Sequence, residues 1–191
     1  MLDRTDNSLQ YCGKMQKGDK METLETIHNR RSIRKYSKEP VSDEQIEKIL
    51  RAGMMAPSAG NQQPWQFIVI KDRDKLKEIS ERHPYALMAK DAQVGIIVCG
   101  DLVLESKHKG FWVQDCSACT QNILLAIHDI GLGGVWISSY PVESRMKIFA
   151  DVCNLPDHVI PLAFIPIGYP AQEIKAVDRF KKERIHKEVF K

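Results

Sequence analysis

Apolar positions along this chain switch between two periods, and the switches mark out its elements. Ile46, Ile49, Leu50 and Met54 recur at helical spacing, behind the capping-box pair Ser42 and Gln45 and ahead of Pro57. That pattern predicts a helix with a defined start and stop. Phe67-Ile68-Val69-Ile70 and Val94 to Cys99 are short apolar runs rich in β-branched residues, the signature of buried strands. Between them, Asp74 to Arg82 carries Leu76 and Ile79 in a charged background and reads as an exposed helix.

From Trp112 to Ile130 the apolar residues are nearly continuous. A helix apolar on most faces must be buried, at the centre of the molecule or in a dimer interface. Gly131, Gly133 and Gly134 end it. Val135-Trp136-Ile137 then reads as a strand and Glu143 to Val152 as a helix. Val159 to Ile167 reads as a strand that Pro161 and Pro166 place partly at a sheet edge. Near the start, Leu24 and Ile27 suggest a short helix whose end presents Arg30, Arg31 and Arg34 on one face.

Length and charge narrow the classes. With 191 residues, 43% of them apolar, the chain can build one domain around a sizeable core. Residues 21–191 form that domain, and the polar stretch 1–20 reads as a mobile N-terminal arm or leader. A net charge of +3 supplies no global field for nucleic acid, and no segment resembles a membrane anchor. Five cysteines, four of them in apolar surroundings, suit a reducing cytoplasm.

Two segments carry candidate chemistry. Arg30-Arg31-Ser32-Ile33-Arg34-Lys35-Tyr36 concentrates guanidinium forks that match a phosphate bidentately. Ala56-Pro57-Ser58-Ala59-Gly60-Asn61-Gln62-Gln63-Pro64-Trp65 offers hydroxyl, amide and backbone N–H groups around small residues, suited to the polar edge of a flat heterocycle. Singly, each is more often a solvated face or a plain turn.

Taken with Asn122 through Gly131-Leu132-Gly133 to Trp136, and with Ile165-Pro166-Ile167-Gly168-Tyr169-Pro170 and the basic tail, these segments resemble the nitroreductase family of flavin-dependent oxidoreductases. The resemblance covers nearly everything after Met21. It implies an α+β sandwich, a mixed but mainly antiparallel sheet flanked by helices, assembled as an intertwined homodimer with two FMN sites at the subunit interface. It implies that Arg30 and Ser32, beside Arg31, hold the phosphate, that Arg34 faces the pyrimidine edge, and that Lys182 and Arg184 of the tail complete the anion clamp. Pro57, Ser58, Ala59 and Asn61 would come from the partner chain, and Ser138 and Ser139 would meet the flavin near N5 through backbone N–H groups. The implied reaction is ping-pong: NAD(P)H delivers hydride to flavin N5, and an electron-poor acceptor such as a nitroaromatic or quinone then takes it. The chemistry belongs to the cofactor, so no side chain is cast as catalytic.

Two other classes are weighed against this. Cys116-Ser117-Ala118-Cys119 is a CxxC, which a thiol-disulfide oxidoreductase would use, but it sits inside the apolar helical run rather than opening it. A non-enzymatic nucleotide- or RNA-binding module would pair the arginines with Trp65 or Tyr36 as a stacking platform, against the near-neutral overall charge. The six histidines show no metal-site spacing.

Overall fold

A computed structural model describes residues 23–190, so the expected N-terminal arm lies outside the described residues. The order is α1 (Thr23–Asn29), α2 (Asp43–Met54), β1 (Trp65–Ile70), α3 (Arg73–Arg82), β2 (Val94–Asp101), α4 (Trp112–Asp129), β3 (Gly133–Gly134), β4 (Ile137–Ser138), α5 (Glu143–Cys153) and β5 (Val159–Gly168). The sheet runs β1-β2-β5-β3, with β4 also on β5, and all of these pairings are antiparallel. A parallel bridge from Ser32 to Gly134 makes it mixed.

Side-chain alternation on the central strands explains why every residue of β2 is buried. Val94, Ile96 and Val98 join one core with residues of α2 and α4, whereas Ile97 and Cys99 join a second with residues of α3 and α5. Strand residues point alternately to opposite faces, so helices must cover both. The result is the expected α+β sandwich.

Helix α2 has the predicted start. The Ser42 side chain accepts from Gln45 N at 3.2 Å, and the Gln45 side chain accepts from Ser42 N at 3.0 Å. Gly53 lets α2 approach α4 closely, because a Cβ there would lie 2.8 Å from Ile123. Helix α4 buries Trp112, Cys116, Cys119, Ile123 and Ile127 between α2 and the sheet. Its first residue is capped from a distance: buried Glu105 accepts the Trp112 N–H at 2.7 Å, where Phe111 offers no side-chain cap.

Three sequence expectations are corrected. The arginines are not on a helical face: α1 ends at Asn29, and Ile33 N donates to Gly134 O, so residues 31–33 run extended beside β3. Strand β5 is not at an edge but lies between β2 and β3–β4. Its prolines sit where the ladders lapse. Pro161 falls where the β2 register shifts, and Pro166 faces the gap between β3 and β4, which share one register on β5. A residue without an N–H fits where no ladder bond is made. For the same reason the strand expected at residues 135–137 is split, with Val135 and Trp136 unpaired between β3 and β4.

Candidate functional site

The basic cluster gathers around the C-terminal end of α4. Thr26 Oγ1 donates to Asp129, and Arg30 N donates to Thr26 O, which fixes the chain just before the arginines against the last turn of α4. Burial, then the charges of Arg31 and Arg179, pull the Arg30 pKa down, and Arg31 is lowered by burial and Arg179. Among the described residues none of these three arginines forms an ion pair. Three guanidinium groups gathered without an ion-pair partner make a locally positive patch that favours an anion. The residues fit a phosphate.

The arginines divide their work. Arg31 Nε donates to Lys175 O at 3.1 Å and Nη1 donates to Arg30 O at 2.7 Å, so Arg31 ties the C-terminal tail to the cluster. Arg34 is exposed and donates only to Ser32 O, at 3.3 Å. Lys182 and Arg184 lie on an exposed turn, Lys182–Arg184. Arg179 stands nearer the cluster, and sequence reasoning missed it. Its signal was present in Asp178-Arg179-Phe180, but a run of tail charges gives no register against residues far upstream.

Ser138 and Ser139 lie on the outer side of β5. Ser139 is wholly buried and donates its backbone N–H to Leu162 O at 2.9 Å. Successive N–H groups on a strand point to opposite edges, so the Ser138 N–H faces away from β5, toward the open edge. From Gly134, beside Ser32, to Ser138 is four strand residues, roughly 13 Å.

The polar loop lies elsewhere. Asp115, in the first turn of α4, accepts the Ala59 N–H through Oδ1 at 3.0 Å. Gly60, Asn61 and Gln63 adopt left-handed backbone, and Ser58 Oγ accepts from Gln63 N at 3.0 Å. Gln62 Oε1 accepts from Lys107 N and His108 N, while its Nε2 donates to His108 O, and the His108 ring rests on Gly60. Asp115 and Asp129 are fourteen residues apart on α4, about 21 Å. The loop also leads into β1, three strand spacings from β4, roughly 14 Å. Within one chain, then, the arginines and the loop occupy opposite corners.

The CxxC is set in the interior of α4. Cys116 and Cys119 are fully buried, and burial pushes the Cys119 thiol up to about 12 and the Cys116 thiol higher still. A redox CxxC needs a lowered pKa at a helix start, so these thiols are core residues. Among the described residues no group of three or more His, Cys, Asp or Glu is placed to hold a metal ion. No helix among them is long and apolar enough to cross a membrane.

The nitroreductase family model matches residues 27–84 and 81–169. A Methanothermobacter thermautotrophicus protein with the provisional name NADH dehydrogenase/NAD(P)H nitroreductase is 52% identical over 172 residues, covering 90% of each chain. A Parabacteroides distasonis crystal structure of the same provisional name superposes with a TM-score of 0.84 at 44% identity, covering 88% of this chain and 98% of that one. A Desulfovibrio desulfuricans structure, provisionally a nitroreductase and solved in complex with FMN, matches with a TM-score of 0.76 at 32% identity, over 91% of this chain and 100% of that one. The matched residues carry the arginine segment, the polar loop and the buried α4 in the order the fold requires, and the chain belongs to the nitroreductase family.

Proposed function

We propose that this chain is an FMN-dependent oxidoreductase that takes hydride from NAD(P)H and passes it to an electron-poor acceptor such as a nitroaromatic or quinone. It works as a homodimer whose two flavin sites each draw on both chains. The observation that carries this is the unneutralised cluster of Arg30, Arg31 and Arg179, which leads along the β3–β4 edge to the free N–H of Ser138. FMN, once bound, supplies the hydride-carrying atom N5, and the protein supplies orientation and electrostatics.

Arg30 and Ser32 hold the phosphate, with Arg184 and Lys182 of the tail closing over it and Arg179 adding charge. Arg34 is exposed at the pyrimidine edge. Ser138 offers its N–H toward N5, and buried Ser139 holds that strand on β5. Pro57, Ser58, Ala59 and Asn61 of the partner subunit complete the pocket, because this chain's own loop lies at the far corner. Exposed apolar residues of the tail, Phe180, Ile185, Val189 and Phe190 among them, supply surface for a second copy to cover.

The test is direct. Purified protein reconstituted with FMN should hold one flavin per chain, be reduced by one NAD(P)H per flavin without air, and sustain turnover when a nitroaromatic or quinone is added as acceptor. Protein that takes up no FMN contradicts the reading.

A further inference from the structure

We infer that Asp115 is a positioning residue for the flavin site: from the rigid first turn of α4 it fixes the Ser58–Asn61 loop that borders the partner's FMN. The inference rests on the functional reading above, since it gives the loop's placement a purpose. Asp115 is 6% exposed. Its Oδ1 accepts the Ala59 N–H at 3.0 Å, and its Oδ2 is buried with no hydrogen-bond partner.

A buried carboxylate with one oxygen unsatisfied costs stability, so the group is not explained by the packing of α4 alone. What it does supply is a charge-assisted bond, stronger than a neutral one, to a loop that has no other side-chain bond to a regular element. The remaining tethers are local or reach other loops. Ser58 Oγ binds Gln63 N, Asn61 Oδ1 binds the Gln63 side chain, and Gln62 holds residues 107 and 108. Ala59 is also where the loop turns: Gly60 and Asn61, next in line, both take left-handed backbone. Losing the bond at Ala59 therefore releases the turn from α4 and loosens its hold on the Asn61 side chain that the partner's flavin would meet, leaving only its local bonds and its link to residues 107 and 108.

The geometry separates this role from a structural one. Asp115→Asn keeps an oxygen at Oδ1 and preserves the acceptor. Asp115→Leu, which keeps the branching at Cγ in a larger side chain and is free of the unpaired oxygen, removes the acceptor without leaving a buried charge. Thr120→Val supplies a control on the same helix, because Thr120 Oγ1 bonds only to Cys116 O within α4.

Two readouts on the full chain test it: amide hydrogen exchange at Ala59 without FMN, and FMN affinity by equilibrium titration. Asp115→Leu should raise Ala59 exchange at least about tenfold and weaken FMN about tenfold, the size of one lost charge-assisted bond. Asp115→Asn should restore most of both, and Thr120→Val should change neither. The inference is overturned if Asp115→Leu leaves Ala59 protected and FMN affinity unchanged, or if Asp115→Asn is as defective as Asp115→Leu. Wild-type protein that binds no FMN would defeat the functional reading alone, since the exchange arm still reports whether Asp115 holds the loop.

Discussion

At the scale of single residues, the arginine segment was legible as a concentration of positive charge but its division of labour was not. Arg31 faces Lys175 O, 144 residues further on. No local pattern announces that the tail folds back onto it. Arg30, half-buried and beside Arg179, is left free of such a tether, which favours it as the phosphate ligand of the proposed site. Arg30→Ala and Arg184→Ala should each weaken FMN binding by about 1.5–3 kcal/mol, roughly ten- to a hundredfold. Fluorescence titration checks this, and unchanged affinity in both variants would contradict the phosphate assignment. The cysteines give the opposite expectation. Because Cys116 and Cys119 are buried with raised thiol pKa values, the double variant Cys116→Ala/Cys119→Ala should lose thermal stability but keep NAD(P)H oxidation per bound flavin.

At the scale of elements, helices declared themselves more completely than strands. The Ser42–Gln45 box and the Ile46, Ile49 spacing located α2, and Ser42→Ala should cost about 1 kcal/mol in urea denaturation. Strand β5 misled because proline argues for an edge unless the ladder is interrupted opposite it. That interruption is a property of β2, β3 and β4 and not of β5. The ends of α3 and α4 each carry a partly or wholly buried histidine. His83 is lowered in pKa by burial and then by Arg145, and His128 by burial and then by Arg30 and Arg31. The folded state therefore binds fewer protons than the unfolded state just below the ordinary histidine pKa of about 6.5. Stability from both is present above that pH and is lost as pH falls toward the folded values. The urea midpoint should drop between pH 7.5 and 5.5, and a His83→Gln/His128→Gln variant should show a flatter profile.

At the scale of the whole molecule, the residue patterns carried both halves of the proposed site, and only the family resemblance implied that they come from different chains. The loop and the arginines are only some 25 residues apart along the chain, which suggests proximity. The length of α4 and the width of the sheet set them at opposite corners instead, so in the proposed function a flavin on the arginines of one chain meets the loop of another. Mixed dimers test that claim most directly. Arg30→Ala spoils the phosphate end of a site and Ala59→Trp spoils the loop end, so each homodimer should bind FMN poorly. A heterodimer of the two should regain one tight site, built from the intact Arg30 of one chain and the intact loop of the other, and titrate to one FMN per dimer. No tight site in the purified heterodimer would mean that each flavin takes both ends from the same chain.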